Sequence, residues 1–387
     1  MTDDFTRLPD LAGRALAGSV VYANDEMFAE RENLIKPGPA EARHEFGPKG
    51  KIYDGWETRR RRDDVSGDPP ADYAVVRLGV PGIVRGVVVD TAWFTGNFPP
   101  YASVEATGVE GYRSPTELAK ADWVTLVPKS AIDGDTANLF PVDDPRRFTH
   151  VRLSIHPDGG VARFRVHGDP LPDPRLLTGT VDLAALEYGA DVVDCSNAFY
   201  SSPLNILRPG RAQTMGDGWE NARRRDDGND HVTVRLAARG TVRRVEIDTS
   251  CFVGNAAGWA ALSGIDAETY DLDDAGAWVE LVPRTRMQPD TRHFFRTPQG
   301  QPVTHVRLDV YPDGGLARLR VDGEIATESL VAAVVHWLDR MPEQQAVEVL
   351  SAEGGLSPAE AGELVGRRPF GDPSAVPSSV VSALLGT

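Results

Sequence analysis

THVRLSIHPDGGVARFRV, residues 149–166, is the stretch from which the class of fold can be read. Two runs of alternating polar and apolar residues flank Pro157-Asp158-Gly159-Gly160. Side chains of an extended chain point to opposite faces in turn. The first run therefore sets Val151, Leu153 and Ile155 against His150, Arg152, Ser154 and His156. In the second run Ala162, Phe164 and Val166 oppose Arg163, Arg165 and His167. Period two over this length means a strand with one buried face, and the Pro-Asp-Gly-Gly cluster predicts a hairpin between the two. The polar face is either solvated or a basic surface laid against an anionic ligand or another domain. Periodicity alone does not separate those two readings.

The same stretch returns as THVRLDVYPDGGLARLRV at 304–321, with His305, Arg307, Arg318 and Arg320 in matching places. Working outward, WVTLVP at Trp123 matches WVELVP at Trp278, and VVVDTAWFTGN (87–97) matches VEIDTSCFVGN (245–255). DGWETRRRRDD (54–64) matches DGWENARRRDD (217–227). VVYANDEMFAERENLIKPG from Val20 matches VVDCSNAFYSSPLNILRPG from Val192. The spacing shrinks from 172 residues at the first block to 155 at the last, so the second copy has shorter loops. Five blocks in one order make a duplication. DPLPDPRLLTGT (169–180), rich in proline and turn formers, reads as the linker. Short alternating strands broken by Gly, Pro and Asp predict an all-β chain of two tandem jelly-roll β-sandwich domains, residues 1–174 and 175–325. From 326 to 387 the spacing turns helical, and Ser357-Pro358-Ala359-Glu360 has the form of a capping box. This segment is expected to be a helical C-terminal appendage.

Composition narrows the function. At 387 residues, with 41% hydrophobic and 25% charged, the chain is long enough for two globular cores. A net charge of −16 argues against nucleic acid or an anionic membrane as partner. No apolar stretch reaches the length of a membrane span, and the N-terminus lacks the pattern of a signal peptide. Cys195 and Cys251 have no metal-ligand spacing and suit a reducing compartment, so a cytoplasmic location is expected. There is no GxSxG elbow, phosphate loop or dinucleotide fingerprint, and no histidine falls in a zinc pattern. No cofactor is expected, while a divalent metal held by carboxylates and a histidine stays open.

The arginine run carries the chemistry. With five lysines against thirty-six arginines, a single arginine means little here, but a repeated cluster is a choice. Guanidinium binds a carboxylate bidentately. Neighbouring carboxylates accept hydrogen bonds from amide or urea N–H groups and serve as acid or base. Glu57, Arg60, Arg61, Arg62, Asp63 and Asp64 together suit a small ligand bearing a carboxylate and ureido groups. The alternative is a self-neutralising ion-pair cluster that each copy needs in order to fold. Asp54-Gly55-Trp56 reads as a turn with an aromatic anchor. Gly96-Asn97 and Gly254-Asn255 read as tight turns after an apolar strand, from which Asn97 could aim an amide at a ligand.

NDEMFAERENLIKP, GKIYDGWETRRRR, DTAWFTGNFPPYASVEA and THVRLSIHPDGG closely resemble the allantoicase family, over residues 15–325. The resemblance implies two galactose-binding-like jelly rolls and the conversion of allantoate and water into ureidoglycolate and urea in purine (allantoin) breakdown. Allantoate, the implied small-molecule substrate, carries a carboxylate and two ureido arms on one carbon. A homo-oligomer is expected. Glu57, Asp63, Asp64 and His150 are the candidate catalytic groups. Arg60, Arg61, Arg62, Asn97 and Arg152 are candidates for substrate binding, with Glu220, Arg223, Arg224, Arg225, Asn255 and His305 in the second copy. The second copy departs from the pattern, with Ala222 for Arg59, Ser250-Cys251 for Ala92-Trp93 and Ala256-Ala257 for Phe98-Pro99, which favours the first copy as the site. WLDRMPEQQAVEVL and LVGRRPFGDPSAV in the tail are similar to the opening helices of the ureidoimidazoline decarboxylases and are read as an appended module. The competing function is a non-catalytic jelly-roll module for a small anionic or carbohydrate ligand.

Overall fold

Each copy is built on one 19-residue strand, Asp72–Asp90 in the first and Asp230–Asp248 in the second. Val75, Val76, Val87, Val88 and Val89 make the first of these a stiff, β-branched chain that favours the pleated conformation. The computed structural model describes residues 4–62, 71–298 and 300–387. In the first copy the leading part of the long strand pairs antiparallel with Ser19–Ala23 on one side and Arg147–His156 on the other. The register breaks between Arg77 and Gly82, where Gly79, Pro81 and Gly82 interrupt the valines. Beyond the break the strand pairs with Ala137–Pro141 and with Arg163–Pro170. Tyr101–Thr107 and Val124–Ala131 continue outward from Arg147–His156. The second copy repeats the plan with Asp191–Cys195 and Val303–Tyr311, then Arg292–Arg296 and Arg318–Ile325. Trp259–Ile265 and Val279–Arg286 extend it. Both copies are thus antiparallel jelly-roll sandwiches, in keeping with the all-β expectation.

The alternation in 149–166 meets its structural counterpart residue by residue on the apolar side. Val151, Leu153, Ile155, Phe164 and Val166 are fully buried, as are Val306, Leu308, Val310, Leu319 and Val321 in the copy. The polar side behaves differently from either expectation. His150 and Arg163 are buried as deeply as core residues, and most of the arginines are paired locally. Arg152 binds Glu105 at 2.6 Å, Arg163 binds Asp54 at 2.6 Å and Arg165 binds Asp10 at 3.4 Å. It is neither a solvated face nor an open basic surface, because Arg152, Arg163 and Arg165 are each paired within their own sandwich.

The expected hairpin does not form. Arg147–His156 and Arg163–Pro170 both pair with the long strand, not with each other. Between them Gly160–Val161 pairs antiparallel with Trp56–Glu57. Period two identifies a strand but not its partner, and the connection, residues 157–162, passes from one end of the long strand to the other. Gly159 has φ +144°, a conformation that side-chain-bearing residues avoid. A Cβ on Gly160 would lie 2.0 Å from a ring carbon of Phe94. Two glycines are needed here for a close approach rather than for a two-residue turn.

The chain divides into two compact units, Met1–Leu171 with Trp337–Ala383, and Pro172–His336 with Leu384–Thr387. The tail is helical over Thr327–Arg340, Glu343–Ala352, Pro358–Val365 and Ser378–Leu385. Ser357 caps the third helix with its Glu360 partner in a reciprocal box. Within the first unit, Trp337, Leu338, Val349 and Leu350 are buried, and Gln345 Nε2 donates to Glu110 Oε1 at 2.6 Å. No helix among the described residues is long and apolar enough to cross a membrane.

Candidate active site

The repeated DGW motif is the floor on which the site stands. Trp56 is fully buried and donates its Nε1–H to the Asp25 carbonyl at 2.7 Å. Asn33 Nδ2 donates to the Gly55 carbonyl at 2.8 Å. Asp54 accepts from Arg163 Nη2 at 2.6 Å and from the Glu41 amide at 3.0 Å. Burial alone would push the Asp54 carboxyl up, but those hydrogen bonds, with the charges of Arg163 and Lys36, hold it at about 2. Across the ribbon, Thr58 donates its amide to the Gly159 carbonyl at 3.1 Å. The next residues are therefore launched from a fixed base.

They line a cleft of about 1040 Å³ that also takes in Phe28, Tyr53, Asn97, Phe98 and Asp158. Glu57 is half-buried in its wall, and Asn97 Nδ2 donates to Glu57 Oε1 at 2.8 Å. Burial pushes the Glu57 carboxyl up, against the opposing pull of the Asn97 hydrogen bond and the Arg60 charge.

The four arginines divide by alternation. Arg59 pairs with Asp25 at 2.5 Å, and Arg61 pairs with the buried Asp72 at 2.5 Å. The Arg61 amide also donates to Asp158 Oδ2 at 2.8 Å. Arg60 and Arg62, in between, are exposed, and among the described residues neither has an ion-pair partner. Two arginines hold the loop, and two line the cleft without an ion-pair partner among the described residues. The ion-pair reading of the run thus holds for Arg59 and Arg61, while Arg60 and Arg62 line the cleft.

Of the other predicted residues, the structure brings only Asn97 to this place, where its amide orients Glu57. Asp63 and Asp64 lie outside the described residues. His150 does not line the cleft; its Nδ1 sits 2.9 Å from Thr149 Oγ1. Burial, with the Arg77 charge beside it, pulls the His150 imidazole down to about 4, so it is neutral at physiological pH. Arg152, paired with Glu105, lies over the Trp123 ring at 4.5 Å, also away from the cleft. Sequence reasoning missed Phe28, Tyr53, Phe98 and Asp158. Asp158 was legible only as a turn former, and the aromatics lie in loops where no period applies.

The second copy repeats the framework. Trp219 Nε1 donates to the Asn197 carbonyl at 2.7 Å, Asn255 Nδ2 to Glu220 Oε1 at 2.6 Å, and the Arg224 amide to Asp313 Oδ2 at 2.8 Å. Arg224 pairs with Asp230 at 2.7 Å, while Arg223 and Arg225 are exposed without an ion-pair partner among the described residues. His305 mirrors His150, with Nδ1 2.9 Å from Thr304 Oγ1, and burial and Arg235 lower its pKa. Among the described residues no group of three His, Cys, Asp or Glu side chains could hold a metal ion. In the first copy, then, a carboxyl with a raised pKa shares a partly apolar cleft with two guanidiniums that have no ion-pair partner among the described residues. Such a site can clamp a carboxylate and exchange a proton with a nearby nitrogen.

Comparisons with known proteins place the chain in a family. The family model described as "Allantoicase repeat" matches residues 9–171 and again 181–326. A "Probable allantoicase" from Nocardia farcinica is 56% identical over 325 residues, covering 83% of this chain and 95% of that protein. An "Allantoicase" from Dictyostelium discoideum is 38% identical over 325 residues, covering 81% and 86%. The crystal structure of allantoicase from Saccharomyces cerevisiae superposes with a TM-score of 0.69 at 33% identity, covering 82% of this chain and 93% of that one. The chain belongs to the allantoicase family.

Proposed function

We propose that the chain hydrolyses allantoate to ureidoglycolate and urea, and that the cleft of the first copy is where it does so. One observation carries the reading: Glu57, half-buried and held by Asn97, lines the same cleft as Arg60 and Arg62, which have no ion-pair partner among the described residues. Arg60 and Arg62 take the substrate carboxylate, which sits on the carbon that bears both ureido arms. Protonated Glu57 gives its proton to the nitrogen of one arm as the C–N bond breaks, and urea leaves. The lone pair of the remaining ureido nitrogen closes a C=N bond to that carbon. Water adds to the carbon and returns a proton to Glu57, giving the hydroxyl of ureidoglycolate and restoring the acid. Positioning and charge complementarity supply most of the acceleration, and the single acid–base group contributes its own share. Asn97 is a positioning residue, acting through Glu57.

Glu57→Gln keeps the size and the Asn97 contact but removes the proton. It is expected to lower kcat for urea release by about 10²–10⁴. A variant with wild-type kcat would overturn the assignment. The organisation as two repeats with a helical appendage at 326–387, a homo-oligomeric state and a cytoplasmic location belong to the same proposal. Sedimentation of the full chain and fractionation of the host cell test the last two.

A further inference from the structure

We infer that the second copy holds a ligand site of its own, which binds a small carboxylate bearing one ureido or amide arm and does not hydrolyse it. The inference rests on the reading of Glu57, Arg60 and Arg62 given above, transferred to Glu220, Arg223 and Arg225.

The binding half of the machinery is intact. Glu220 accepts from Asn255 at 2.6 Å where Glu57 accepts from Asn97 at 2.8 Å. The guanidinium between the free pair is tied down in the same way, Arg224 to Asp230 at 2.7 Å and Arg61 to Asp72 at 2.5 Å. Where the match to the first copy is lost, the loss is compensated. Asn197 and Ala222 replace the Asp25–Arg59 ion pair, yet the Ala222 amide still donates to Asn197 Oδ1 at 3.0 Å, as the Arg59 amide does to Asp25 Oδ1 at 3.0 Å. The charges are gone together and the loop keeps its shape. Arg223 and Arg225 remain as cations without a paired carboxylate among the described residues.

The half that shelters the chemistry is not intact. In the first copy Tyr53 stacks on Phe94 with ring centroids 4.6 Å apart, and Phe98 packs on the same cluster. Gly216 and Ala256 stand in those two places in the second copy. Removing two rings leaves Glu220 without the apolar wall that lines the Glu57 cleft and excludes water from a leaving group. In exchange, Phe199 and Tyr200 occupy the places of Met27 and Phe28, their rings edge to face at 4.7 Å and largely exposed. The Tyr200 amide donates to the Glu220 carbonyl at 3.1 Å, so the backbone that carries this aromatic pair runs beside that of Glu220. Carboxylate, N–H acceptor and an apolar flank are the needs of a single-armed ureido acid, without the enclosure that turnover needs.

Calorimetric titration of the full chain with N-carbamoylglycine, a carboxylate with one ureido arm, tests this. The expected result is two equivalents bound per chain. Glu220→Gln, and separately Arg223→Ala, should weaken one of them at least tenfold and leave the other in place. Glu220→Gln is nearly isosteric and Arg223 is exposed, so the two variants guard against a folding artefact in either. One equivalent or none in the wild type, or two that neither substitution disturbs, overturns the inference. The readout is independent of turnover. Two equivalents with no urea released from allantoate would sink the catalytic reading and keep this site; urea release with one equivalent would do the reverse.

Discussion

At the scale of single residues, the proposed chemistry turns on the carboxyl of Glu57. Its pKa is raised by burial, so the protonated form persists to higher pH than in an exposed glutamate, whose ordinary value is about 4.3. As a proton donor it loses function when it ionises. The profile of kcat/KM should therefore fall as pH rises through that raised value, and the descending limb should disappear in the residual activity of Glu57→Gln. Asn97→Ala removes a hydrogen bond that favours the ionised form. It should move the same limb to higher pH and lower kcat by about tenfold while KM changes little, a split that loss of a direct substrate contact would not give. If the limb stays where it was, Asn97 does not act through Glu57. His150 makes the contrasting case. A matched histidine was a reasonable acid–base candidate from sequence, because its ordinary pKa suits neutral pH. Burial and Arg77 remove that property, and nothing in a single sequence records either. The alternation of Arg59 and Arg61 against Arg60 and Arg62 was equally hidden, since their partners Asp25 and Asp72 are remote or unremarkable in the chain.

At the scale of elements, the two-stranded ribbon of Trp56–Glu57 and Gly160–Val161 explains why two separate motifs are each written twice. DGWE and PDGG are the two sides of one device. Its anchor is the Asp54–Arg163 pair, at 2.6 Å and almost fully buried. Asp54→Asn leaves an arginine charge buried without its partner and should cost about 3–5 kcal/mol of stability, read from urea denaturation. The pH dependence follows from the sign of the shift. With the folded pKa held near 2, below the unfolded value, the pair's contribution is complete above the ordinary range of about 3.9 and is lost as pH falls toward 2. Acid titration of the wild type should show that loss, and Asp54→Asn should lack it. Gly160→Ala drives a methyl into the Phe94 ring and should destabilise by about 1–3 kcal/mol; an unchanged denaturation midpoint would show that the ring has room to move. The strands themselves were readable from alternation. Their pairing was not, because a connection rich in glycine serves a tight turn and a close crossing equally well.

At the scale of the whole molecule, duplication was the most legible feature, since five blocks in one order can be matched without knowing which strands meet. The all-β architecture was readable from the alternating strands within each copy, and the family model matches twice, over residues 9–171 and 181–326. The tail was legible as helical but not in its packing. Trp337 is fully buried and lies in the stretch Trp337–Ala383 that belongs to the same compact unit as the first copy, beyond the end of the family match at residue 326. Trp337→Ala should therefore cost about 3–5 kcal/mol in the unfolding of the full chain. A cost near zero would mean that the tail contributes nothing to the stability of that unit. The central claim, that the first copy's cleft is the hydrolytic site, is tested most directly by measuring urea released from allantoate by the wild-type chain and by Glu57→Gln at equal concentration. Release by the wild type and a loss of about 10²-fold or more in the variant is the predicted result. Equal rates, or no urea from the folded wild type, would contradict it.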